Sequence, residues 1–375
     1  MEKEGTGKRN IPLEWLRIVS MLMIILLHSI DHSGVLENLT PGSALYYWEE
    51  FLYAMVQVCV NCFVLISGYF LVTSKFRPGK LLSLWAEVVF YGFFIKLIVM
   101  IGGGITFSLP SLLSCFLPVL TGRYWFVTIY FGLYLIAPFL NIGLRAMTKR
   151  QHQALLAVLF VLFSVMVSVW PGFAGMNSGG GWGLAWFAVL YVFAAYLRLH
   201  YTPAGKSGRF VLIFFACPVI MTVTLWAAQT LGLSALERIA ANWQRYDSVF
   251  AFAATLALML AFLNWKGTES ETVNRAVVRL SSATFGVYLI HNHANLCTEA
   301  NWQALGMVSF TGYLWYPVYQ LALVLAIFFV CAGIDFLRQM LFRGLRIERK
   351  AEQAEIRFRA AACRIGRAAM TKLNG

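Results

Sequence analysis

Long apolar runs, with no alternation of polar positions, organise this chain. Stretches of about twenty residues with few charges recur near 12–30, 46–73, 81–101, 124–141, 153–171, 183–198, 209–232, 246–265, 281–300 and 312–337. As helices, most reach across a hydrocarbon layer of roughly 30 Å. Backbone groups inside a bilayer must be satisfied within their own segment or in a closed barrel, and the unbroken runs lack a barrel strand's period of two. The pattern therefore predicts an all-α, polytopic membrane bundle of about ten transmembrane helices. The stretch SLPSLLSCFLPVL (108–120) is short and proline-cut, and predicts a re-entrant or interfacial helix. IGGGITF and GMNSGGGWG predict flexible outer loops, since neither sits between a strand and a helix as a phosphate-cradling loop would. There is no internal repeat.

Composition sharpens this picture. Hydrophobic residues make up 59% and charged residues only 13% of 375, with 30 phenylalanines and 12 tryptophans, whereas a soluble domain carries about 25% charge. The charged start MEKEGTGKRN is followed by a long run without a small-x-small cleavage site, so the first run reads as a span and not as a removed signal. The 7 cysteines are scattered, most of them inside apolar runs, with Cys115 alone expected in an outer segment, and no disulfide framework is implied.

The net charge of +13 follows the topology. With the N-terminus inside, the cytoplasmic segments hold Lys3, Lys8, Arg9, Lys75, Arg77, Lys80, the later inner loops and a dense basic tail. Only Arg123, Arg238 and Arg245 fall outside. This asymmetry places both termini in the cytoplasm and argues against a nucleic-acid face. It divides the chain into a membrane domain, 1–340, and a basic amphipathic cytoplasmic tail, 341–375, that would lie on anionic lipid.

Two polar side chains sit inside the first span. Arg17 and His28 are eleven residues apart, which on a helix leaves them about 20° apart around the axis and roughly 16 Å apart along it, with Glu14 within about 40° of the same stripe. A buried arginine costs about 2.5–3.5 kcal/mol on insertion scales and normally faces a cavity. Arg17 snorkelling beside Glu14, and His28 bonded between helices, are the bland readings. One shared stripe beside a carboxylate favours a polar cavity in which imidazole serves as a base and the guanidinium holds an anion.

From here the chain resembles a family. PLEWLRIVSMLMIILLH is similar to the opening helix of the acyltransferase-3 family, in which an acidic residue is followed by a basic one, ten residues and a histidine: Glu14, Arg17 and His28 here. Four further pieces follow in order. CFVLISGYFL matches the second-helix motif through Phe63, Ser67, Gly68 and Tyr69. Arg77-Pro-Gly-Lys80 matches a basic pair, with Lys80 replacing an arginine. GRYWFVTIYFGLYLIAPFLN matches a tryptophan-centred helix ending in Tyr134 and Pro138, and SSATFGVYLIHNH a late helix ending at Tyr288 to His291. The resemblance covers residues 11 to about 340. No glutamate follows Trp125, as it does in some members, which shifts the acid–base burden to His28 and makes the chain similar to the branch that acetylates surface polysaccharides or lipid-linked sugars.

The resemblance implies a membrane O-acyltransferase that moves an acyl group, usually acetyl, from cytoplasmic acyl-CoA to a sugar hydroxyl at or beyond the cell membrane. It implies His28 and Arg17 as catalytic residues, and Arg17, Lys75, Arg77 and Lys80 as contacts for the CoA. For Lys75, Arg77 and Lys80, simple topogenesis is the competing reading. Asp31, His32, Trp125, His291 and Glu14 are weaker candidates for lining the substrate path; Trp125 also suits the interfacial aromatic belt, and His291 and His293 suit mid-helix bonds between helices. Ser67 reads as a packing residue. His28 and His32 have metal-ligand spacing but no third ligand is evident, so no metal is expected. Lys96 pairs with Glu87 only if the fold bends. The partners implied are acyl-CoA, a glycan acceptor and the bilayer, with no nucleic acid; a homo-oligomer is left open. The competing classes are a transporter or flippase, though no repeat-related broken helices are visible, and a membrane sensor module.

Overall fold

In the computed structural model, which describes residues 9–170, 179–357 and 359–360, ten helices correspond one to one with the ten apolar runs. They are α1 (Ile11–Asp31), α2 (Ala44–Leu71), α3 (Pro78–Ile101), α4 (Trp125–Ala146), α5 (Lys149–Val169), α6 (Leu184–His200), α7 (Gly208–Thr230), α8 (Val249–Asn264), α9 (Glu271–His291) and α10 (Tyr316–Gly344). No strand occurs among the described residues. Seven of these helices are long and apolar enough to cross a membrane, α6 and α8 are shorter apolar helices, and α9 carries charges in its first turns. The protein is an all-α, multi-pass membrane protein.

Side-chain oxygens set half of the ten helix starts. Asn10, Ser43, Thr148, Ser248 and Ser270 each accept a backbone N–H of the first turn, which supplies a partner to groups that the helix itself cannot satisfy. The apolar pattern placed two spans imprecisely. The ninth was expected at 281–300 and runs instead over Glu271–His291. Its first ten residues are amphipathic and invisible to a hydropathy window, while Leu296 and Cys297 both donate backbone N–H to the His293 carbonyl in a turn that cannot continue the helix. The tenth extends to Gly344 because its charges, Asp335 and Arg338, pair with each other inside the protein. Arg338, one residue beyond the end expected for the tenth run, is a buried helix residue bound also to Glu87 at 2.9 Å.

Lys96 is partnered by Ser111, while Glu87 pairs with Arg338. The lysine ammonium bonds to the Ser111 carbonyl at 3.2 Å and to the Ser111 hydroxyl, anchoring the short helix Leu109–Leu113. That segment bares Leu109, Leu113, Leu117 and Leu120, as an interfacial helix would. Of GMNSGGGWG, residues 175–178 lie outside the described residues.

α1 occupies the middle of the bundle. It packs against α9, α10, α8 and both parts of α2, and 72% of its apolar window is buried against 22% for α5. α2 breaks at Gln57–Val58, and its second half packs on α6, where Gly68 abuts Ala194 and Tyr191. The outer faces of α4, α7 and α10 bare Phe139, Ile142, Leu212, Val318 and Leu337. Contiguous apolar surface of this kind suits lipid and not water.

Candidate active site

α1 brings Arg17 and His28 to the wall of one cavity of about 840 Å³. Its lining begins at Arg9, just before α1, and reaches Asp31 and His32 at the other end, so it follows the helix for about 30 Å. Arg17 Nη1 donates to Glu14 Oε2 at 3.0 Å, and the Ser281 hydroxyl donates to the same oxygen at 2.6 Å. The Glu14 side chain is 7% exposed and that of Arg17 31%. Glu14, expected on the lining, therefore stands behind Arg17 and holds the guanidinium towards the cavity.

His28 is held the same way. His28 Nδ1 lies 3.0 Å from His291 Nε2, and His291 Nδ1 lies 2.7 Å from the Val287 carbonyl. A carbonyl only accepts, so His291 carries its proton on Nδ1. With both rings neutral its Nε2 accepts from His28 Nδ1–H. The relay leaves a lone pair on His28 Nε2, the form a general base requires. His291, expected among the substrate-lining residues and mid-helix, is the last residue of α9 and sits one layer behind His28. His293 falls in the following loop.

Asp31, His32 and Trp125 do line the cavity, as does Ser67, which was expected to pack; the small packing residue of that pair is Gly68. Trp125 stacks on Trp182 (4.7 Å, 26°) and Trp182 on Tyr246 (5.8 Å, 27°), forming a ladder of three rings at the end away from the basic tail. Arg245, locked to buried Asp247 by two bonds of 2.9 Å, stands beside it. Sequence reasoning missed Trp182, Tyr246, Arg245, Gln57, Asn292 and Cys297, because they come from loops and a helix break with no periodic signal. Cys297 was read as part of a span. It lies beyond α9, and its sulfur and ring nitrogens of His28 and His32 are all within 4.8 Å of one another, so a third metal-ligating group is present after all.

Lys75, Arg77 and Lys80 are all exposed and none lines this cavity. Lys75 lines a second cavity of about 780 Å³, with Phe76, Tyr134, Pro138, Asn141 and Arg145. One polar stripe of α4 clamps the loop there. The Tyr134 hydroxyl meets both backbone groups of Arg77 (3.2 and 3.3 Å), Asn141 bonds the Leu71 carbonyl, and Arg145 bonds the Val72 and Ser74 carbonyls. Both cavities draw lining from α2 and α4: Ser67 and Tyr130 line the first, and Leu71 and Tyr134, one turn on, line the second.

The start of the tail meets the same loop. Residues 347–357 are helical, Arg77 pairs with Glu352 at 2.9 Å, and the Gly79 N–H donates to Glu355 at 3.1 Å. A Cβ at Gly79 would come within 2.8 Å of Glu355 and 3.1 Å of the Ala351 carbonyl, so glycine leaves the tail room that a side chain would crowd. Most of the tail expected on lipid, 361–375, lies outside the described residues. Half-exposed ion pairs are worth up to about 1 kcal/mol, so replacing Glu352 and Glu355 by glutamine speeds limited proteolysis of the tail by roughly five-fold. Unaltered cleavage would show that these pairs do not hold it.

No curated protein and no solved structure matches the chain. The acyltransferase-3 profile, an acyltransferase domain, matches residues 10–336, which takes in α1 to α10 except the last turns of α10. A cavity that holds Arg17 and His28 on one wall, within a match of that extent, leads to one conclusion: this chain belongs to the acyltransferase-3 family of membrane acyltransferases.

Proposed function

We infer that the protein is an O-acetyltransferase of the cell membrane, moving acetyl from cytoplasmic acetyl-CoA to a hydroxyl of a surface polysaccharide or lipid-linked sugar. The observation that carries this reading is the single cavity along α1 with Arg17 towards one end and the His28–His291 relay towards the other. The CoA nucleotide binds at the basic loop, where Lys75 and Arg145 flank the second cavity, and its pantetheine arm runs along α2 and α4 past Arg17. At His28, Nε2 takes the proton of the acceptor hydroxyl as its oxygen attacks the thioester carbonyl. The C–S bond breaks, and the CoA thiolate recovers the proton. The Trp125–Trp182–Tyr246 ladder offers flat apolar faces to a sugar ring arriving from the opposite side.

Membranes containing the protein, supplied with isotopically labelled acetyl-CoA, should place label in glycan. Movement of the glycan intermediate without label would instead support a transporter. Within this assay Arg17→Ala is expected to raise the KM for acetyl-CoA about ten-fold or more, the equivalent of 1.4 kcal/mol, with the acceptor KM unchanged within about two-fold. Equal changes in both would remove Arg17 from donor binding.

A further inference from the structure

At the end of the cavity away from the basic loop, two imidazoles and a thiol converge. His28 and His32 are neighbours on one helix face, i and i+4, with ring centroids 5.0 Å apart. Cys297 approaches from the turn after α9, and one ligand atom from each lies within 4.8 Å of the other two. We propose that His28, His32 and Cys297 bind a soft divalent metal ion, zinc by preference, and that its occupancy silences the transfer reaction.

Three observations support the site. The donor set is nitrogen and sulfur, which selects zinc and its neighbours over magnesium or calcium. The spacing is close to what zinc needs: bonds of about 2.0–2.3 Å in a tetrahedron put ligand atoms roughly 3.3–3.8 Å apart. Closing that gap takes a movement of about 1 Å. His32 lies just past the last residue of α1, and Cys297 lies on a two-bond turn closed on the His293 carbonyl, so neither is locked by a helix interior. The outer partners are also in place. A ligating histidine normally donates its other N–H to a fixed acceptor, and His28 Nδ1 has His291, itself fixed by the Val287 carbonyl. The Asp31 carboxylate stands 3.9 Å from His32 Nδ1.

Three protein ligands leave a fourth position, on the side of the cavity that all three residues line. The silencing follows from one lone pair. With His28 Nδ1 engaged by His291, Nε2 is the atom left for the metal, and it cannot also accept a proton. Metal binding displaces the Cys297 thiol proton and ties up the base. This second half rests on the function inferred above; the binding site does not.

Cobalt(II) is the probe. Full-length protein in nanodiscs, equilibrated with Co²⁺, should bind one equivalent and show a thiolate-to-cobalt charge-transfer band, which Zn²⁺ then displaces. Cys297→Ser should remove the band and weaken binding at least ten-fold, and His32→Ala should weaken it similarly. Cys297→His, which keeps a ligand atom, should retain binding without the band and so separates loss of a ligand from loss of the fold. Absence of stoichiometric cobalt, or binding within two-fold of the parent in both Cys297→Ser and His32→Ala, would overturn the site. In the parent protein, acyl transfer should fall in proportion to zinc occupancy, and full turnover at full occupancy would overturn the silencing. If no donor supports transfer at all, the functional reading fails while the cobalt titration still decides the metal site.

Discussion

Replacing His28 by alanine lowers acyl transfer by about 10²–10⁴-fold, the usual contribution of a positioned general base, while the protein inserts and accumulates normally. The size of the effect follows from the arrangement. His28 is the histidine that both lines the α1 cavity and has a proton relay behind it, running through His291 to the Val287 carbonyl. No carboxylate follows Trp125 to substitute for it. Deletion of the ring leaves a gap on the wall of an 840 Å³ cavity with room for free imidazole, so added imidazole should restore part of the rate in the alanine variant. The measurement is initial rate against donor concentration for parent and variant at equal membrane abundance. A variant that keeps its full rate would remove His28 from the chemistry, and with it the relay.

Replacing Asp335 by alanine destabilises the protein by about 3–5 kcal/mol, the penalty for breaking a buried ion pair from one side. Asp335 is fully buried and accepts from the Tyr91 hydroxyl at 2.7 Å, from Arg338 Nε at 2.9 Å and from Gln339 at 2.7 Å. Arg338 binds Glu87 as well, so α3 and α10 are joined through three charged groups. α9 presses on the same point: a Cβ at Gly286 would overlap the Asp335 carboxylate. Without the carboxylate, the buried guanidinium keeps Glu87 as its carboxylate partner and the Tyr91 hydroxyl loses its acceptor. Thermal unfolding in detergent should show the loss, with Asp335→Asn, which keeps an acceptor oxygen, falling between the two. If Asp335→Ala unfolds with the parent, the triad is not what binds α3 to α10.

Much of this molecule was legible in its residues. Ten helices in the right order were, though not every boundary, because a bilayer enforces apolar runs of a set length, and so was the family, because the acidic, basic and histidine positions of α1 stand in one register. Arg17 and His28 on one stripe followed from helix geometry alone. The roles of their neighbours were not legible in the same way. Glu14 shares that stripe yet lies behind Arg17, because Ser281 from α9 draws its carboxylate into the protein. His291 was visible as a motif residue, but its place behind His28 depends on where α9 ends.

The sequence by itself determined the fold class, the number and order of the long helices and the helix that carries Arg17 and His28, since each is a local consequence of apolar run length and helical period. Tertiary structure alone decided which groups meet. Lys96 turned to Ser111 and Glu87 to Arg338, Trp182 and Tyr246 joined Trp125 across three segments, and Cys297 came to within reach of His28 and His32. Those encounters depend on loop paths and helix ends, where neither hydropathy nor periodicity fixes the direction of the chain.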